Sequence, residues 1–325
     1  MNPIRRRTFI AGLGSAAAVW PLHADAQQSA MPMIGHLALL PSPLQRASFR
    51  QGLSEAGYID GRDVRIEFRS ANNQAARLPE LAADLVRSQA AVIVAQDGPA
   101  LYAAQEATST IPIVFVIDDP VAFGLADSLS RPGGNATGAA FISSELMGKR
   151  LDLLHQMVPR VATFGYLSEF GVRTSEDTTS NIVAASRALG TELVVVEARS
   201  RSDIETAFAT FVQRGTGGLV VGPYVLFAGN SNRVLELAAL NKIPTMYYSP
   251  DWVRRGGLMS YSASFRGALK VVVDYVGRIL RGAKPADLPV QRPTTFDFVI
   301  NLKTAKALGL TIPETLLATA DEVVQ

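Results

Sequence analysis

The chain has 325 residues, 48% of them apolar and 18% charged, which suits a folded protein with ample core and argues against a disordered chain. It has no cysteine, which excludes disulfides, thiol catalysis and cysteine-ligated zinc. Three arginines and one aspartate fall in residues 1–26, so the remainder holds 28 basic and 28 acidic side chains. With that balance nothing suggests a nucleic-acid footprint, which needs a concentrated positive field.

The N-terminus reads as an export signal. Arg5–Arg7 is followed by an uncharged apolar stretch from Phe9 to Leu22 and then by Ala24-Asp25-Ala26, an A-x-A cleavage pattern. The stretch is too short for a stable membrane anchor. Arg6-Arg7-Thr8-Phe9 resembles a twin-arginine signature. The expectation is cleavage after Ala26, no stable membrane insertion afterwards, and a periplasmic product. Gly12-Leu13-Gly14-Ser15-Ala16-Ala17 matches G-x-G-x-x-A, but it lies inside this leader rather than after a strand, so no dinucleotide site is read there.

Met33–Leu40 is the first predicted buried strand, and Pro41-Ser42-Pro43 ends it. Ser42 suits an N-cap and Pro43 the first helical position, opening a helix over Leu44–Ala56 that Gly57 stops. Val64, Ile66 and Phe68 alternate in a strand over Asp63–Arg69. Leu78, Leu81, Ala82, Leu85 and Val86 form the apolar stripe of a helix over Ala75–Ser88. Ala91–Val116 then reads as a short apolar run, a turn with Gly98-Pro99, a helix, Ile111-Pro112 and a second apolar run. That is a βαβ unit whose strands are buried on both faces. After the turn signal Arg131-Pro132-Gly133-Gly134-Asn135, Ala136–Ile142 is a strand and Ser144–Met157 a helix.

The same order recurs. Thr163–Ser168, Ser175–Leu189, Thr191–Glu197 and Ser202–Gln213 precede a second βαβ unit at Gly217–Tyr248, followed by the extended segment Gly257–Ser262. The offset is roughly 120 to 130 residues, about one domain. The spacing predicts two Rossmann-like α/β lobes with parallel sheets, joined by a three-crossing hinge. Residues 27–142 with 264–292 form lobe 1, and 143–263 with 293–325 form lobe 2. A helix over Arg266–Leu280 returns to lobe 1, Phe296–Ile300 is a last strand, and Leu302–Leu308 is a short helix.

Ligands of open parallel sheets sit beyond the carboxyl ends of the strands. Those ends supply the candidate ligand-binding residues: Ser42, Gln96, Asp97 and Asp119 in the first lobe, and Ser168, Pro223, Tyr224, Phe227, Tyr247 and Ser249 in the second. Carboxylates facing aromatic rings suit an amine or amino-acid-like ligand. Each residue alone is equally explained by capping or turn chemistry. No catalytic residue and no metal site is assigned, and no cofactor is expected. The chain lacks G-x-S-x-G and G-x-x-x-x-G-K-[ST], and neither His36 nor His155 has a partner at metal-ligand spacing. Asp118-Asp119 has the composition of an acid–base pair or Mg²⁺ site, but adjacent loop residues usually point apart.

Three segments carry a resemblance: Gly57-Tyr58-Ile59-Asp60-Gly61, the stretch RPGGNATG from Arg131 to Gly138, and NLKTAKALGL from Asn301 to Leu310. They resemble the ABC-transporter substrate-binding protein family that includes tryptophan-binding lipoproteins. The resemblance covers essentially the whole chain after the leader. It implies a type I periplasmic-binding-protein fold, a monomer, and delivery of a small-molecule ligand to an ABC permease driven by a separate ATPase. The lipid-anchored members carry a cysteine that this chain lacks, which implies a free periplasmic protein. Two rival readings are a sensory protein docking on a membrane receptor and a hydrolase on a doubly wound fold.

Overall fold

The run Ile113–Ile117 is apolar at every position, so as a strand it must bury both faces. In the computed structural model, Ile113, Phe115 and Ile117 enter one core with Leu37, Leu85 and Leu101. Val114 and Val116 enter another with Phe49, Val272 and Val276. The structure describes residues 31–40, 42–118, 120, 129–130, 132, 134–141, 143–172 and 175–325. The leader, Asp119, Arg131, Gly133 and Ile142 lie outside them.

Lobe 1 holds β1 (Met33–Ala38), β2 (Arg65–Ser70), β3 (Val92–Ala95), β4 (Ile113–Ile117) and β5 (Ala136–Ala140). They form one sheet in the order β2-β1-β3-β4-β5, with every pair parallel. α1 (Pro43–Glu55), α2 (Leu78–Arg87) and α3 (Gly98–Ala107) connect them. α2 and α3 cover one face and α1 the other. β5 approaches β4 so closely that a Cβ on Gly138 would lie 2.1 Å from the Phe115 carbonyl oxygen. Only glycine allows that contact.

Lobe 2 repeats the plan. Its helices are α4 (Met147–Met157), α5 (Ser175–Ala188), α6 (Arg201–Gln213), α7 (Val225–Gly229), α8 (Ser231–Leu240) and α9 (Pro250–Arg254). Its strands β6 (Thr163–Glu169), β7 (Glu192–Ala198), β8 (Gly218–Val221), β9 (Thr245–Tyr247) and β10 (Met259–Ala263) run in the order β7-β6-β8-β9-β10, the same permutation as lobe 1. β11 (Phe296–Asn301) adds antiparallel to β10, and β12 (Glu322–Val324) adds parallel to β11. One core, with Leu151, Phe164, Phe208, Phe211 and Trp252, fills this lobe.

Between β10 and β11 the chain returns to lobe 1 as α10 (Phe265–Leu280). Its stripe of Ala268, Val272, Val273, Val276 and Ile279 packs on β4, β5 and α1. α11 (Leu302–Ala307) and α12 (Glu314–Thr319) complete the second lobe. The chain passes between the sheets after β5, after β10 and before β11, and these passages are tied together. Ala140 N–H donates to the Gln291 carbonyl at 2.9 Å, Gln291 N–H to Gly138 at 2.9 Å, and Ser264 N–H to Thr295 at 2.9 Å.

The predicted elements fall where expected within a residue or two. Two predicted helices open as 3-10 turns, Ala75–Arg77 before α2 and Ser143–Leu146 before α4. The short elements α7, α9, α12 and β12 carry too little periodicity to be read from sequence.

Candidate functional site

The strand permutation places a topological switch between β1 and β3 in lobe 1, and between β6 and β8 in lobe 2. Helix N-termini open there. Ser42 Oγ accepts the Gln45 N–H at 3.3 Å and caps α1. Asp97 caps α3, with Oδ1 accepting the Ala100 N–H at 2.8 Å and Oδ2 the Leu39 N–H at 2.7 Å. Burial raises the Asp97 carboxyl above its ordinary range, and the two N–H bonds oppose that rise. Gln96 Oε1 accepts from His36 Nε2 at 3.2 Å. The His36 ring is packed against Phe49 and Phe68, and burial pushes its pKa down to about 4.

The lobe 2 tips are lined by phenols. Tyr166 and Tyr224 hydroxyls meet at 3.0 Å beside the fully buried Ser168 hydroxyl. Burial raises both phenols above their ordinary range. Glu169 Oε2 accepts the Leu226 N–H at 3.2 Å, and partial burial raises its carboxyl.

Between the lobes lies a cavity of about 650 Å³. Lobe 1 supplies Gln45, Asp118 and Phe265, and lobe 2 supplies Tyr248, Ser249 and Arg254. Phe141, on the first passage between the sheets, adds a third aromatic face. Asp118 Oδ1 accepts the Ser143 N–H on that passage. Arg254 is held by Glu322 at 2.6 Å and Asp251 at 3.2 Å. A second hollow of about 130 Å³ lies within lobe 2, beside Lys242, Ile243, Thr304 and Leu308. It touches no tip of the switch strands.

The lobes also meet away from the cavity. Val225, on α7 of lobe 2, packs against the Leu37 and Phe115 core of lobe 1. A Cβ on Gly229 would lie 2.8 Å from Asn73 Nδ2 of lobe 1. The two lobes are therefore in contact across the cleft.

Of the residues read from sequence, Pro223 and Ser249 line the cavity. Ser42, Gln96 and Asp97 stand at strand tips, where their polar atoms serve capping or side-chain bonds. Ser168 and Tyr224 are buried together beneath the lobe 2 surface. Phe227 and Tyr247 belong to the lobe 2 core, Tyr247 stacked on Trp252 at 4.9 Å. Asp119 lies outside the described residues. Asp118, read at a strand end, and Tyr248, one of the aromatics clustered on the second lobe, also line it, whereas Phe265 and Glu322 were not singled out in the sequence. Their position at strand and helix ends was the available signal. Among the described residues, no cluster of three or more metal-ligating side chains occurs, and no helix is long and apolar enough to cross a membrane.

Residues 34–324 match the model of a family described as ABC transporter substrate binding protein. A tyrosine-binding protein of Clostridioides difficile strain R20291 is 26% identical over 266 residues, which span 82% of this chain and 76% of that protein. Two solved structures align with a TM-score of 0.83 at 26% identity, each covering 90% of this chain and 99% of the other. One is a conserved domain protein from Vibrio cholerae O1 biovar El Tor, and the other an ABC domain from Streptococcus pneumonia in complex with L-Trp. The architecture is that of type I periplasmic binding proteins.

Proposed function

The chain belongs to the ABC transporter substrate-binding protein family, and from that premise we propose that it binds a small aromatic amino acid between its lobes and delivers it to a membrane permease. The observation that carries this reading is the 650 Å³ cavity shared by both lobes. Its size falls within the usual range for small-molecule sites. Phe141, Tyr248 and Phe265 offer faces for an aromatic ring, while Asp118 offers a carboxylate for an ammonium group. The tyrosine-binding relative and the L-Trp complex favour the same ligand class.

In this reading lobe 1 comprises residues 27–142 with 264–292, and lobe 2 comprises 143–263 with 293–325. The separate cores and the return of α10 to the first sheet support that division. Residues 1–26 direct export by the twin-arginine route, cleavage follows Ala26, and the mature protein works in the periplasm with a separate permease and ATPase. The function is binding and release, without catalysis: the Asp97 carboxylate is committed to backbone bonds, and Arg254 is committed to Glu322 and Asp251.

The test is titration calorimetry on protein unfolded, dialysed and refolded to strip any retained ligand. Saturable binding of L-tyrosine or L-tryptophan, at micromolar affinity or tighter, is the expected result. Failure of all twenty amino acids to bind at millimolar concentration overturns the reading.

A further inference from the structure

A helix that ends in a left-handed turn needs a residue that tolerates positive φ just past its cap, and glycine does so without steric cost. Lobe 2 follows this rule at Gly190 after α5, Gly215 after α6, Gly256 after α9 and Gly309 after α11. After α8 the place is held by Lys242, at φ 52. Its N–H donates to the Ala239 carbonyl at 3.1 Å, and the Ile243 N–H donates to Ala238 at 3.0 Å, so backbone bonds fix the left-handed turn around the lysine. A β-carbon in that conformation is strained. Strained positions persist where the surrounding structure holds them, and ligand clamps are among such places.

Lys242 is the charged residue in the lining of the 130 Å³ hollow between α8 and α11. Leu235, Ile243, Leu258 and Leu308 give that hollow apolar walls. Two threonines also line it, but their hydroxyls are turned to the backbone: Thr245 Oγ1 donates to the Ile243 carbonyl at 2.8 Å, and Thr304 Oγ1 to the Gly256 carbonyl at 2.9 Å. Tyr247 lines it too, its ring pinned by stacking on Trp252 at 4.9 Å. The charges near the mouth are unbalanced. Glu236 on α8 is taken by Arg233 at 2.8 Å. Lys303 and Lys306 on α11 are exposed and, like Lys242, have no carboxylate within ion-pair distance among the described residues. The hollow thus joins an apolar interior to a cationic rim.

We propose that this hollow is a second binding site, contained within lobe 2, for a small apolar carboxylate: a ring or short branched chain fills the hollow and the carboxylate rests on the Lys242 ammonium group. The site shares no lining residue with the interlobe cavity and does not depend on how that cavity is read. A dry apolar cavity of roughly 150 Å³ is enough to hold benzene, and this one is about 130 Å³. The apolar part of the ligand gains by leaving water. Its carboxylate would lose by following, so it stays at the mouth, where a charge-assisted bond to Lys242 is stronger than a neutral one. An ammonium ligand meets the same rim as repulsion.

The experiment titrates benzoate, benzamide and benzylammonium into methyl-labelled protein and follows the methyl resonances of Leu235, Leu258 and Leu308 by NMR. Benzoate is expected to shift them saturably, at millimolar affinity or tighter, with benzamide several-fold weaker and benzylammonium without saturable effect. Lys242→Gln should weaken benzoate about tenfold and leave benzamide unchanged. Lys242→Gly should weaken benzoate equally while raising the melting temperature by about 2 °C, because glycine relieves the strained turn. Ala307 lines the hollow from an exposed position, so Ala307→Phe should fill it and abolish benzoate binding in a folded protein. Benzoate that leaves the three methyls unmoved at millimolar concentration overturns the site. Equal affinity for benzamide and benzoate, or unchanged benzoate affinity in Lys242→Gln, overturns the role of the lysine. A Lys242→Gly protein that melts higher yet binds benzoate as before does the same, since the lysine is then only a tolerated cap. Failure of amino acids to bind between the lobes alters none of these outcomes.

Discussion

The side-chain amide of Asn73 occupies the space into which a side chain on Gly229 would grow, 2.8 Å from where the Cβ would stand. Asn73 sits in the left-handed region at φ 63, on the turn that follows β2, and Gly229 ends α7. The two belong to different lobes, and Val225 one turn earlier packs on the lobe 1 core. The pair is one of the places where the two lobes meet.

Gly229→Leu is therefore expected to hold the lobes apart without disturbing either core. The added side chain meets Asn73, and Gly229 itself is exposed, so unfolding stability should change little. Affinity for an aromatic amino acid should fall about tenfold, which corresponds to about 1.4 kcal/mol. Calorimetry reads the affinity, and small-angle scattering with ligand present reads the radius of gyration. Wild-type affinity together with a wild-type radius in the variant refutes the closing contact.

The Tyr166–Tyr224 pair makes a different prediction. Tyr224→Phe takes the tyrosine partner from the Tyr166 hydroxyl, which stays buried beside Ser168. An orphaned buried polar group costs about 1–3 kcal/mol. Replacing both tyrosines by phenylalanine removes the orphan, so the double variant should be no less stable than the single one. Urea unfolding of the four members of this cycle checks it. Strict additivity would mean that the hydroxyls do not act as a pair.

Stability should also fall in mild acid, through His36. In the unfolded chain this imidazole takes a proton below its ordinary pKa of 6.5; in the fold, burial against Phe49 and Phe68 delays protonation to about 4. Between those values the unfolded state binds more protons, so stability drops as the pH falls through that window. The loss is about 3 kcal/mol when complete. Unfolding free energies measured from pH 7 to pH 4 should fall for the wild-type protein and fall less steeply for His36→Leu. Parallel profiles would place the acid sensitivity elsewhere.

What the chain determined by itself was the layout. Runs such as Ile113–Ile117 are apolar on both faces, and a strand of that kind is stable only between two helical layers. The caps were equally local: Ser42 and Asp97 each stand before a helix with proline in its first two positions and accept a hydrogen bond from an N–H three residues on. The recurrence of one element order was enough to imply two like lobes, and the shared strand permutation agrees.

The tertiary structure decided which tip residues meet. Tyr247 and Tyr248 are neighbours in sequence, yet one stacks inside the core and the other lines the cavity. Successive side chains of an extended segment point to opposite sides, and two adjacent tyrosines do not reveal which side is which. Asp118 and Ser249 lie 131 positions apart on different lobes, and they line one cavity only because the fold brings the ends of the two sheets to face each other. Local periodicity specifies how each lobe buries its own apolar surface. The charges of the cleft are set by how the two finished surfaces face each other, and no short stretch of sequence encodes that.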